Sequence, residues 1–208
     1  MLTIHTLIHT ALVAEAKPII GHFKLTYKEK QPFNLYVNDD IALIVSGMGS
    51  ENTKAALVYA LSLYEPCIAI NIGIAGCSDT AVAKGMLFCT THEGLETPFA
   101  TCSSHENPIE GVDVSCSLDT VVHDGSPETL SLIVPSERKC FAQTSSHANV
   151  ITLVDMEADT FLQTIPKTVE TYVFKIVSDH LETSIPSKAD VGNWIGKSIK
   201  HWEKYARK

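Results

Sequence analysis

Tyr172-Val-Phe-Lys-Ile-Val-Ser-Asp-His180 is the stretch that decides how this chain is read. It is an apolar, β-branched run that stops at Ser178-Asp179. That is the pattern of a buried strand delivering a hydroxyl and a carboxylate at its C-terminal end. In open α/β sheets this edge is where ligands bind. Just upstream, Leu153-Val-Asp-Met-Glu-Ala-Asp-Thr-Phe161 places Met156 and Glu157 at the start of a helical run. Ala158, Phe161 and Leu162 supply the apolar face of that run, which allows Glu157 to face a pocket. A thioether beside a carboxylate suits a sugar, whose ring face is apolar and whose hydroxyls donate hydrogen bonds. Each piece alone has a plainer reading. Ser-Asp after a strand is ordinarily a turn or a helix cap, and a helical Glu is ordinarily solvated. It is the pairing that points to chemistry.

The bulk composition narrows the function classes. With 208 residues, 45% hydrophobic and 19% charged, the chain is long enough for one well-buried α/β domain. A net charge of −8 without a basic cluster argues against a nucleic-acid surface. The six cysteines form no Cys-x-x-Cys pair, so they read as buried thiols in a reducing cytoplasm. We expect neither a metal site nor a cofactor. The opening Met1 to Ala14 lacks the Lys/Arg-bearing start of a signal peptide, and His5 and His9 interrupt its apolar stretch. No run approaches the roughly 18 apolar residues that span a membrane, so a cytoplasmic protein without membrane contact is expected.

Outward from the deciding stretch, strands and helices alternate. Residues 2–9 read as a first strand. Pro18 is tolerated only near the start of a helix, which puts the first helix close to Ala16 and leaves Glu15 in the strand-to-helix turn. Residues 24–38 form a β excursion closed by Asn38-Asp39-Asp40. Ile41 to Ser46 is a buried strand, followed by Gly47-Met48-Gly49 and a helix capped by Ser50 that runs to about Tyr64. Without a third Gly or a Lys this turn is no phosphate-loop fingerprint, although its glycines permit close approach of a ligand. Cys67 to Ile72 is another strand, ended by Gly73-Ile74-Ala75-Gly76, and Gly85 to Thr91 another. In the polar middle of the chain, Val112 to Ser117, Leu130 to Val134 and Lys139 to Ser145 are strand candidates. Trp194, Ile195, Ile199 and Trp202 share one face of a terminal amphipathic helix. The alternation predicts an α/β layer sandwich in a single domain over residues 1–208.

Ala11-Leu-Val-Ala-Glu-Ala, Ser46-Gly-Met-Gly with its Ala-rich helix, Asn71-Ile-Gly-Ile-Ala-Gly, and Val154-Asp-Met-Glu with Ile176-Val-Ser-Asp stand in that order. Together they resemble the nucleoside phosphorylase/nucleosidase superfamily, and most of all its methylthioadenosine/S-adenosylhomocysteine nucleosidase branch. The resemblance implies a three-layer αβα sandwich on a twisted mixed sheet, assembled as a homodimer. It implies that Asp179 protonates or hydrogen-bonds N7 of a purine leaving group while Ser178 orients it. Glu157 would bind ribose hydroxyls, Met156 would pack on the sugar face, and Glu15 would activate the attacking water. Gly49, Gly73 and Ile74 would line the substrate. Ile74 stands where the close nucleosidases usually carry Ser, and Gly-Ile-Ala-Gly looks like the futalosine hydrolase branch. The segment between Ser145 and Met156 is shorter than the family loop that stacks on the purine, with Phe141 and His147 as the available substitutes. Lys175 replaces a common Arg and so keeps the charge without the fork.

The expected function is hydrolysis of the N-glycosidic bond of a purine nucleoside such as 5′-methylthioadenosine or S-adenosylhomocysteine. The alternatives are a futalosine hydrolase-like enzyme, a phosphate-dependent phosphorylase, and a catalytically lapsed nucleoside-binding or storage protein. The intact set of Glu15, Glu157 and Asp179 favours the enzyme. The chain has only two arginines, Arg138 and Arg207, outside every motif, and a carboxylate at position 15 would repel phosphate. Hydrolysis is therefore expected over phosphorolysis.

Overall fold

In the computed structural model, which describes residues 2–104, 151–182 and 186–207, the apolar runs assemble into a mixed sheet. Its strands are β1 (Leu2–Thr10), β2 (Thr26–Glu29), β3 (Asn34–Val37), β4 (Ile41–Val45), β5 (Tyr64–Cys77), β6 (Leu87–Cys89), β7 (Thr101–Ser104), β8 (Thr152–Asp155) and β9 (Glu170–Asp179). The path runs β2-β3-β4-β1-β5-β8-β7, while β9 lies along β5 and carries β6 on its other side. β4, β1, β5 and β9 run parallel, so their C-terminal ends share one edge. β5 outlasts its neighbours, and its last residues, Gly76 and Cys77, pair antiparallel with Val154 and Leu153. That brings the start of the Asp-Met-Glu segment to the same edge.

Both faces of the parallel strands are buried, which explains their continuous apolar runs. One face packs Ile8, Ile70, Ile72, Phe174 and Ile176 against α1 (Val13–Phe23) and α4 (Lys188–Trp202). The other packs Leu7, Ile44, Ala69 and Val173 against α2 (Ser50–Leu63) and α3 (Ala158–Thr164). This is the expected α/β class, a three-layer αβα sandwich around a mixed sheet. Trp202, Ile195 and Ile199 of α4 are buried as the amphipathic pattern predicts, and Ser187 caps that helix by accepting from Asp190 N–H.

Several boundaries differ from the sequence reading: β5 starts at Tyr64 rather than Cys67, and β6 is confined to Leu87–Cys89 of the expected 85–91. α1 begins at Val13 rather than near Ala16, and Pro18 lies inside it. The Glu15 carboxylate folds back onto the N–H groups of Ala11 and Leu12, which closes the turn earlier and places Glu15 in the first helical turn. α2 is capped by Gly49, so Ser50 is its first residue and not its cap. β5 does not end at Gly73: Gly73, Ile74 and Ala75 stay in register with β9, and Gly76 still pairs with Asp179 across a one-residue shift. β7 was not anticipated from its polar, short sequence; it is held by parallel pairing with β8. The strand candidates at 112–117, 130–134 and 139–145, the residues Phe141 and His147, and Arg138 lie outside the described residues.

Candidate active site

Glu15 sits at the edge where β1 hands over to α1, and only 2% of it is exposed. One carboxylate oxygen accepts from Ala11 N–H (3.0 Å) and Leu12 N–H (2.8 Å), the other from Ile74 N–H (3.0 Å) in β5. Burial dominates its ionisation and pushes its pKa up to about 7, with the backbone donors and the Lys175 charge pulling the other way. Gly73 is what lets the carboxylate in. A Cβ at residue 73 would stand 3.0 Å from Glu15 Oε1 and 3.6 Å from Lys175 Nζ.

Lys175 projects from the middle of β9, and its partner is Asp155, at 2.5 Å, with both side chains 1% exposed. Burial works against charge on each, yet the pair outweighs it, so the Lys175 pKa is raised and the Asp155 pKa is lowered. Asp155 also accepts from Ser104 Oγ (2.6 Å) and from Ala158 N–H (3.0 Å), which caps the start of α3. Glu157 follows at the N-terminus of α3, buried, accepting Gly49 N–H at 2.9 Å. Burial raises its pKa, and Lys175 opposes the rise. Met156 beside it is half-buried.

At the far end of β9 the register with β5 shifts between Ala75 and Gly76, a bulge at Ser178 that re-aims the next side chain. Asp179 accepts from Ser178 Oγ (2.6 Å) and, in an Asx-type turn, from Leu181 N–H (2.9 Å). Its Oδ1 would be 3.0 Å from a Cβ at Gly76. Glu15 and Asp179 thus flank the same stretch of β5, at Ile74 and Gly76, roughly 7 Å apart along the strand.

Of the residues singled out in the sequence, Glu15, Gly49, Gly73, Ile74, Met156, Glu157, Ser178 and Asp179 lie along this edge. Gly49 and Ile74 hold the Glu157 and Glu15 carboxylates through their N–H groups, and Gly73 provides room. Asp155, His9, Asn71 and Ser46 carry the buried polar layer beneath, and sequence reasoning gave them no role. One signal was available: a lysine inside Val173-Phe-Lys-Ile-Val177 has to find a buried counter-charge.

Solved structures share this arrangement of elements. The Helicobacter pylori 5′-methylthioadenosine/S-adenosylhomocysteine nucleosidase, with butyl-thio-DADMe-Immucillin-A, superposes at a TM-score of 0.68 with 11% identity over 98% of each chain. Native Helicobacter pylori futalosine hydrolase gives 0.67 with 12% identity over 96% of each chain. The Arabidopsis thaliana 5′-methylthioadenosine nucleosidase in apo form gives 0.66 with 13% identity, over 99% of this chain and 97% of that one. The chain has the nucleoside phosphorylase/nucleosidase fold. No family model and no curated protein matches its sequence. Among the described residues no cluster of His, Cys, Asp and Glu suits a metal ion, and no helix is long and apolar enough to cross a membrane.

Proposed function

We propose that this chain is a nucleosidase that hydrolyses the N-glycosidic bond of a purine nucleoside. The observation that carries the reading is Glu15, a buried carboxylate tuned to about 7, held by three backbone N–H groups at the ligand-binding edge of the sheet. A group with that pKa works as a general base near neutrality. In the proposed reaction the C–N bond breaks with its electron pair going to the base, and Asp179 donates a proton or a hydrogen bond to N7. Water adds to the anomeric carbon, and its proton passes to Glu15. The sugar becomes cation-like as the bond breaks, and the carboxylates of Glu15 and Glu157 stabilise that charge. Glu157 takes the ribose hydroxyls, Met156 covers the sugar face, and Ser178 holds Asp179.

Hydrolysis is favoured over phosphorolysis by the charges at this edge. Lys175 is committed to Asp155, and Arg207, the arginine among the described residues, stacks over Phe23, 5.1 Å from the ring centre. A dianion beside Glu15 would meet a carboxylate instead of an arginine fork. The proposed substrates are 5′-methylthioadenosine, S-adenosylhomocysteine or futalosine, the proposed setting is cytoplasmic, and the single domain works as a homodimer. Light scattering at assay concentration should give twice the chain mass; one chain mass with full activity would reject the dimer.

The test is base release from a panel of purine nucleosides, with and without phosphate. We expect free adenine or hypoxanthine together with free or 5′-substituted ribose, at a rate independent of phosphate. Strict phosphate dependence with ribose 1-phosphate as product would move the chain to phosphorolysis. No release from any nucleoside, with binding retained, would make it a binding protein.

A further inference from the structure

A fully buried ring under this edge has no part in the proposed reaction. His9, in β1, is fully buried and joins three strands. Its Nε2 lies 2.9 Å from Ser46 Oγ just past β4, and its Nδ1 lies 2.7 Å from Asn71 Nδ2 in β5. The Ser46 hydroxyl has one proton, and it goes to the Gly47 carbonyl at 2.6 Å. Ser46 Oγ is therefore left to accept from His9 Nε2–H, and the bare Nδ1 accepts from the Asn71 amide. Donors run in a single direction, from Asn71 through His9 and Ser46 to Gly47. That order requires a neutral imidazole. Burial and the nearby Lys175 charge keep the ring neutral, with a pKa of about 3.

The chain of bonds ends on the turn that carries the site. Gly47 (φ +88°) and Gly49 (φ +93°) both take backbone conformations that only glycine adopts readily. Several hydrogen bonds set the shape of this turn. Ser46 N–H donates to Thr10 O and Gly47 N–H to Ala11 O, each at 3.0 Å, the Asn52 amide donates to Met48 O at 2.8 Å, and the Ser46 hydroxyl adds its own bond to Gly47 O. At the far end of the turn Gly49 N–H meets Glu157 Oε1 at 2.9 Å. At the near end Ala11, which accepts from Gly47, donates its own N–H to Glu15.

We propose that His9 is a positioning residue of this site: its neutral ring orients Ser46, and through Ser46 it fixes the 46–49 turn that holds the Glu157 carboxylate. The functional part of this inference rests on the reading above, in which Glu157 binds the sugar. His9 touches no substrate, so its removal acts on binding more than on the chemical step.

The experiment compares His9→Leu, Ser46→Ala and His9→Gln in the full chain. The first two break the link, while the glutamine amide keeps a donor near the place of Nε2. Exchange of the Gly49 amide, followed by NMR, reads the turn without any activity. It should quicken about tenfold in His9→Leu and Ser46→Ala, the scale of one lost buried hydrogen bond, and far less in His9→Gln. KM for nucleoside should rise about tenfold in the same two variants, with kcat changed by less than threefold. If His9→Leu does not fold, Ser46→Ala decides. Wild-type Gly49 exchange in Ser46→Ala, or equal damage in His9→Gln and His9→Leu, would overturn the proposal. A wild-type protein that releases no base would sink the nucleosidase reading alone, because Gly49 exchange still judges the role of His9.

Discussion

Lys175 Nζ lies 2.5 Å from Asp155 Oδ2, and no more than 1% of either side chain reaches solvent. A pair this dry is held by its geometry, and losing one partner strands the other as a buried charge. Lys175→Met should therefore cost about 3–5 kcal/mol, read as a fall in the urea midpoint. Lys175→Arg should cost less, since the charge is kept and only the shape changes. A loss below about 1 kcal/mol in Lys175→Met would mean that water already reaches the pair.

Glu15 predicts a pH signature in stability as well as in rate. Its folded pKa, about 7, stands above the ordinary value of 4.5. The folded state therefore binds more protons than the unfolded chain between those values, and stability falls as pH rises through that window. The full effect, on the order of 3 kcal/mol, is present above the folded value. Glu15→Gln cannot lose a proton, so its stability should lack this decline, even though the amide is a poorer partner for three N–H donors. Parallel wild-type and Glu15→Gln curves between pH 5 and 8 would contradict the shift.

The same variant separates binding from hydrolysis. Glu15→Gln should still bind nucleoside while base release falls by roughly 10²–10⁴-fold. In the wild type, kcat/KM should rise with pH along a limb centred near 7. Turnover close to wild type in Glu15→Gln would remove Glu15 from the mechanism.

Gly73→Ala tests the close approach directly. The added Cβ would press within 3.0 Å of Glu15 Oε1, and the carboxylate, tied by three N–H groups, has little freedom to yield. We expect a stability loss of about 1–3 kcal/mol and a disproportionate loss of kcat, more than tenfold. Unchanged kcat in a folded Gly73→Ala protein would show that the carboxylate moves freely.

Asp179→Asn is the matching test at the base. The side chain keeps its size, and one of its two donors, Ser178 Oγ or Leu181 N–H, must then face an amide nitrogen. Base release should fall by roughly 10²–10⁴-fold while the melting temperature shifts by only a few degrees. Activity near that of the wild type would take Asp179 out of the reaction.

Apolar runs with abrupt polar or glycine-bounded ends marked β4, β5 and β9, and their alternation with amphipathic segments already specified layered α/β architecture. Strand patterning is a local property, so the chain displays it openly. The candidate carboxylates were visible for a related reason: Glu15, Glu157 and Asp179 each follow or open an element at the sheet's C-terminal edge. Boundaries were less legible where side chains returned to the backbone. The Glu15 carboxylate starts α1 three residues early, and pairing with β9 carries β5 through its glycines.

What the sequence by itself determined is the set of elements and the edge at which polar side chains gather, because periodicity and strand ends are written in adjacent residues. Only the tertiary structure decided which of those side chains are partners. Asp155 and Lys175 are 20 positions apart, Gly49 and Glu157 are 108 apart, and His9 reaches both Ser46 and Asn71. A buried charge takes its energy and its pKa from whatever the fold brings within a few ångströms, and that distance is set by strand register rather than by sequence separation.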